Sequence, residues 1–197
     1  MKDCALVVVD MLYDFIDGSM ACKNAEAAVG ESLSLIKKKI GEEPAEGSED
    51  VIRGSFPILF VCDSHPANHS SFTKQGGPWP PHCVAGTRGA EIHDSLKPYI
   101  EDELVFRKGE NPLQEQYSGF EGINSAGQTL GEVLELLGIK NVFVCGIATE
   151  YCVSQTCEDL KKGGFTVYLA KDALAYVDYA GHLEALAAMD AEGIRMI

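Results

Sequence analysis

Runs of unbroken apolar residues alternate along this chain with segments of helical spacing. Cys4-Ala5-Leu6-Val7-Val8-Val9 is apolar throughout and leads into Asp10, and Pro57-Ile58-Leu59-Phe60-Val61-Cys62 repeats the pattern and leads into Asp63. Continuous rather than alternating apolarity predicts central parallel strands buried on both faces. Further strands are predicted over Leu104 to Lys108, Asn141 to Val144 and Phe165 to Ala170 (followed by Asp172-Ala173-Leu174), with a last short one between Gly193 and Ile197. Helical spacing covers Ala25 to Ile40, whose basic end (Lys37, Lys38, Lys39) complements a helix C-terminus. Thr129 to Leu137 is a second helix, with Gly138 just past its end, and His182 to Asp190 is an Ala/Leu helix. Met11 to Met20 and Pro112 to Glu121 read as loops, and the acidic stretch 41–55 as a surface loop. Residues 64–88 are rich in His, Pro and Gly and too irregular for regular structure. Long irregular segments inside compact domains are usually functional.

Strands alternating with helices predict an α/β fold: three α/β/α layers around a mostly parallel sheet, of Rossmann-like type. No internal repeat or linker divides the chain, so residues 1–197 read as a single domain. In a parallel sheet the strand ends at Asp10, Asp63 and Lys108, and the strand leading to Cys152, share one edge. That edge is where open α/β sheets place their ligands.

Charge narrows the partners. Lys+Arg 16 against Asp+Glu 30 gives a net charge of −14, which disfavours nucleic acid and anionic membrane surfaces. No apolar run is long enough to span a bilayer, and Asp3 and Asp10 interrupt any signal-peptide layout at the start. Seven scattered cysteines without a CxxC pair suit reduced thiols in a cytoplasm. A homo-oligomer is compatible with all of this.

Candidate chemistry gathers at the predicted edge. Cys145 to Val153 reads as strand, tight turn and helix start. Cys152 is therefore expected at a helix N-terminus, where the dipole and free N–H groups favour thiolate and hold an oxyanion. A buried, inert cysteine is the common alternative. Asp10 is a candidate base for the thiol, and Lys108 a cation expected to keep Asp10 ionised and to stabilise the thiolate. The plain alternative is a buried salt bridge, although such pairs usually cost stability. Asp63 and His65, two apart on an extended chain, can project the same way. With His82 from Trp79-Pro80-Pro81-His82-Cys83 they form a His/His/carboxylate set suited to Zn²⁺, Fe²⁺ or Mn²⁺, and His69 is a further candidate. A lone histidine is more often a hydrogen-bonding residue, but three of the five fall in this one loop region. Phe15, Trp79, Tyr117 and Tyr151 are candidate walls for a flat aromatic substrate, although core packing suits Phe15 and Tyr117 equally well.

These residues carry a resemblance. The chain resembles the nicotinamidase branch of the isochorismatase-like cysteine hydrolases, over nearly its whole length. The matching motifs are the Asp10-to-Phe15 loop, Asp63-Ser64-His65-Pro66, Trp79-Pro80-Pro81-His82-Cys83, Lys108-Gly109, Tyr117-Ser118-Gly119-Phe120 and Gly146 to Val153. The resemblance implies an isochorismatase-like fold and a triad of Asp10, Lys108 and Cys152. It implies an oxyanion hole from the N–H groups of Ala148 and Cys152, and a cis peptide between Ile147 and Ala148. It also implies one divalent metal on Asp63, His65 and His82, zinc in the first place with iron or manganese as alternatives. His69 would be a fourth ligand or a support behind the other three. The implied activity is hydrolysis of nicotinamide to nicotinate and ammonia through a thioester, in NAD salvage. The alternative is another small amide, or a ureido or carbamoyl acid. A non-catalytic metal-binding or thiol-redox protein would give Lys108 no role. Two positions depart from the family pattern: Leu12 stands where Gln is usual, and Glu150 where Asp is usual. Both are expected to alter pocket shape or substrate preference.

Overall fold

A computed structural model describes residues 3–40 and 56–197, so the acidic loop predicted over 41–55 lies outside the described residues. Six strands form one sheet: β1 (Cys4–Val9), β2 (Ile58–Asp63), β3 (Val105–Lys108), β4 (Asn141–Gly146), β5 (Thr166–Leu174) and β6 (Arg195–Met196). Their order is β3-β2-β1-β4-β5-β6, and every neighbouring pair is parallel. The order reverses at β1, so the switch-point crevice opens beyond the carboxyl ends of β1 and β4.

All six residues of β1 are buried. Cys4, Leu6 and Val8 pack into one core with α1 (Tyr13–Ile16) and α2 (Ala25–Ile40). Ala5, Val7 and Val9 pack into the other with α3 (Leu130–Leu136), α4 (Ser154–Lys162) and α5 (Tyr179–Ala191). Side chains alternate across a strand, so two apolar faces on one strand require helices on both sides, and the fold has three layers. Thr129 starts α3 with a capping box: its Oγ1 accepts the Glu132 N–H at 3.1 Å, while Glu132 Oε2 accepts the Thr129 N–H at 2.7 Å.

Several elements differ in detail from the sequence reading. The loop over 11–20 contains the one-turn α1. β5 runs as one nine-residue strand through the exposed Lys171 and Asp172. α5 begins at Tyr179 rather than His182, because the Asp178 carboxylate caps it by accepting the Gly181 N–H at 3.0 Å.

Candidate active site

Three strand ends deliver the reactive groups. Asp10 follows β1 with a left-handed backbone (φ 49°), Lys108 is the last residue of β3, and Cys152 lies just beyond β4. The Lys108 ammonium lies 2.9 Å from Asp10 Oδ2 and 3.3 Å from Cys152 Sγ, and also contacts Asp63 Oδ1. Lys108 and Asp10 are 1% and 0% exposed, so bulk solvent screens their attraction little. Asp10 Oδ1 accepts the Asp63 N–H at 2.8 Å, whereas Oδ2 has no aligned hydrogen-bond donor. That oxygen lies within 4.8 Å of the Cys152 sulfur or its sister oxygen does, since a carboxylate oxygen of each acid and the thiol form one cluster of that size.

Burial governs the charges here. It pushes Asp10 up to about 6, against the pull of Lys108. Burial alone would lower Lys108 and raise Asp63. Instead the two acids hold Lys108 well above its ordinary value, and Lys108 and His65 hold Asp63 below the usual carboxylate range. Burial also pushes the Cys152 thiol well above its ordinary value despite Lys108. For this thiol burial outweighs the lowering expected from a helix N-terminus, and the Asp10 carboxylate lies beside it. Cys152 also does not open α4. It sits in a π-type turn (Thr149–Val153) that runs into α4, in which the Val153 N–H donates to Ala148 O at 3.1 Å. The Ile147–Ala148 peptide is cis, in agreement with the sequence reading.

Asp63, His65 and His82 converge beside this cluster. Asp63 Oδ2 lies 3.4 Å from His65 Nε2 and 4.0 Å from His82 Nε2. The loop holds them by pairing His65 with Val84: the His65 N–H donates to Cys83 O and the Ala85 N–H to His65 O, both at 2.9 Å. His65 Nδ1 bonds Gly109 O at 2.9 Å, and His82 Nδ1 bonds Pro80 O at 2.8 Å. A carbonyl partner fixes the proton on Nδ1 and leaves the Nε2 lone pair facing the cluster. Two imidazole nitrogens and a carboxylate at these separations fit a divalent cation such as zinc. His69 is brought near but presents no free nitrogen. Its Nδ1 meets Ser71 Oγ at 2.6 Å and its Nε2 meets Gln114 O at 3.1 Å, while its ring packs on His65 with centroids 4.4 Å apart. Gly109 (φ 70°) is required there, because a Cβ would lie 2.3 Å from the His65 ring.

A small cavity joins the two clusters. Cys152, Ala148, Asp63 and His82 line it together with all four predicted aromatics, Phe15, Trp79, Tyr117 and Tyr151. The Trp79 indole N–H donates to Tyr117 Oη at 3.2 Å, and both rings contact Tyr151. Met20, Cys22, Glu115 and Val177 complete the wall. These four carry no motif, and only the proximity of Met20, Cys22 and Glu115 to Phe15 and Tyr117 in sequence hinted at them. Asp14 was also unforeseen: its Oδ2 accepts the Cys83 N–H at 2.7 Å and so fastens the His82 loop. Of the two departures, Leu12 is fully buried in the core and does not line the cavity. Glu150 Oε1 accepts the N–H groups of Val177 and Asp178 at 2.8 and 2.7 Å, which ties a cavity wall to the turn that carries Cys152.

A doubly wound sheet whose carboxyl edge gathers a thiol, an acid, an ammonium and a His/His/carboxylate cluster has the layout of an α/β enzyme. The sequence matches the isochorismatase domain over residues 4–197, and the chain belongs to that family of hydrolases. It is 34% identical over 196 residues to the nicotinamidase/pyrazinamidase of Mycobacterium tuberculosis, covering 98% of this chain and 97% of that one. Among solved structures it is similar to the pyrazinamidase of Pyrococcus horikoshii in complex with zinc (37% identity, TM-score 0.83, covering 99% and 98% of the two chains). It is also similar to PnC1 from L. infantum in complex with nicotinate (33% identity, TM-score 0.80, covering 100% and 93%). All seven cysteines are free, and no described helix is long and apolar enough to cross a membrane.

Proposed function

We propose that this chain, as a single domain in a reducing, cytoplasmic compartment, is a cysteine amidase that hydrolyses nicotinamide to nicotinate and ammonia. The observation that carries the reading is the single ammonium of Lys108 in contact with both Asp10 and Cys152. An inert structural thiol gains nothing from a buried ion pair at its side, and such pairs are costly to bury. Asp63, His65 and His82 would hold one divalent cation, zinc in the first place. When bound, it would supply a Lewis-acidic point for a heteroaromatic substrate. The similarity to relatives named for nicotinamide and pyrazinamide supports the substrate class.

The chemistry follows from the residues. Phe15 and Trp79 flank the flat ring, with the carboxamide carbon over the Cys152 sulfur. Asp10 takes the thiol proton as sulfur attacks, because a buried thiolate without an acceptor for its proton is unfavourable. The carbonyl oxygen becomes an oxyanion held by the N–H groups of Ala148 and Cys152. Protonated Asp10 gives its proton to the departing nitrogen, which leaves as ammonia and a thioester remains. Asp10 then takes a proton from water as that water adds to the thioester. Collapse expels the Cys152 sulfur, which recovers the proton from Asp10, and the carboxylic acid leaves as nicotinate. Lys108 keeps Asp10 from binding a proton permanently and tempers the charge on sulfur. The test is ammonia release from nicotinamide by the purified protein, before and after chelation and with zinc restored. Release that chelation abolishes and zinc restores is expected, and absence of release in all three states refutes the proposal.

A further inference from the structure

Among the described residues the cavity wall contains two carboxylates, Asp63 and Glu115, and no Lys or Arg. Asp63 is neutralised by Lys108, which lies behind the wall. Glu115 has no ion pair among the described residues. Its Oε1 accepts only the Gln116 N–H, at 3.2 Å.

Its neighbours hold it in place. Gln114 O bonds His69 Nε2 at 3.1 Å, Gln116 Oε1 accepts the Gly109 N–H at 3.1 Å, and Tyr117 Oη accepts the Trp79 N–H at 3.2 Å. The segment is thus fastened on both sides of Glu115 to the histidine loop, to the turn after Lys108 and to the aromatic wall. Three anchors hold the segment that carries this unpaired carboxylate in the cavity wall.

We propose that Glu115 is the specificity residue that admits neutral carboxamides and rejects carboxylates, whether carbamoyl or ureido acids or the reaction's own product. This inference rests on the amidase reading above and deepens it. Enzymes that bind a carboxylate in a small pocket use a cation to receive it, typically a bidentate arginine, and this wall has no such side chain among the described residues. A divalent cation on Asp63, His65 and His82 would itself attract carboxylates, so without Glu115 the pocket would retain its anionic product. With Glu115 in place, hydrolysis turns a tolerated neutral ligand into a repelled anion, and that difference favours release. A like charge in a partly desolvated site is enough to alter affinity by roughly tenfold.

The test separates this inference from the reading beneath it. In zinc-loaded Cys152→Ala protein, the Kd values of nicotinamide and nicotinate are measured by calorimetry, with and without Glu115→Gln, and Glu115→Asp is the conservative control. The expected result is a nicotinate-to-nicotinamide Kd ratio that falls about tenfold in Glu115→Gln and returns toward the parent value in Glu115→Asp. A ratio unchanged within twofold, or both ligands weakening in parallel as for a purely structural side chain, overturns the role of Glu115 while leaving the amidase reading intact. Should Glu115→Gln fail to fold, the parent ratio decides: nicotinate must bind at least tenfold more weakly than nicotinamide, and equal or tighter binding overturns the proposal. Failure of the wild-type protein to release ammonia from nicotinamide overturns both.

Discussion

Replacing Lys108 with Met removes the ammonium and keeps an unbranched apolar side chain one atom shorter. The fully buried Asp10 then loses a partner 2.9 Å away, and Asp63 loses the same one. At that distance and an effective dielectric of about 20, the attraction is on the order of 6 kcal/mol. Breaking a buried pair by removing one member costs about 3–5 kcal/mol, because the remaining charge stays uncompensated. Asp10 escapes part of that cost by taking up a proton. Its pKa, already about 6, then rises above neutrality. The base is lost at pH 7, and kcat/KM should fall by about 10²–10⁴, the usual worth of general acid–base catalysis. For a protein of this size the unfolding temperature should drop by roughly 6–20 °C. Ammonia release from nicotinamide and thermal unfolding monitored by circular dichroism read the two effects separately. A Lys108→Met protein within tenfold of wild-type kcat/KM, or one that melts at the wild-type temperature, refutes the argument.

Other outcomes follow from the same geometry. Because burial raises Asp10 to about 6, its base form is lost at higher pH than for an ordinary carboxylate. The acid limb of kcat/KM should therefore bend near pH 6 and fall about tenfold per unit below it, and a limb near pH 4 would contradict the dominance of burial. Gly109→Ala forces a Cβ to 2.3 Å from the His65 ring at a φ of 70°. Stability should drop by about 1–3 kcal/mol and zinc content should fall, as read by denaturant unfolding and elemental analysis; a stable, fully loaded variant argues against His65 as a ligand. Asp63→Ala should leave the protein without bound zinc in the same elemental analysis, whereas full occupancy would remove Asp63 from the ligand set.

The parts of this site that follow unbroken apolar strands were legible in the sequence. A strand buried on both faces announces itself by composition, and the charged residue ending it must lie at the sheet's edge, which located Asp10, Asp63 and Lys108. The Trp79-to-Cys83 segment was legible because three of the five histidines cluster in one irregular region and because it resembles the metal loop of nicotinamidases. Properties that depend on the whole fold were hidden. The Cys152 thiol reads locally as activated by a helix end, but burial outweighs that and pushes the thiol up. Glu115 and Val177 reach the cavity from segments far apart in the chain, and no spacing records their meeting. β5 was cut short at Ala170 because Lys171 and Asp172 interrupt its apolar pattern, yet parallel pairing with β4 resumes at Leu174. His69 carries the right chemistry for a ligand, and only its bonds to Ser71 and Gln114 show that its nitrogens are already engaged.

The central claim is that the sulfur of Cys152 attacks the amide carbon, with Asp10 and Lys108 at its side. Steady-state ammonia release from nicotinamide by Cys152→Ala, in zinc-loaded protein shown to be folded, tests it most directly. The geometry predicts release indistinguishable from the uncatalysed background; turnover within an order of magnitude of the wild type would contradict it.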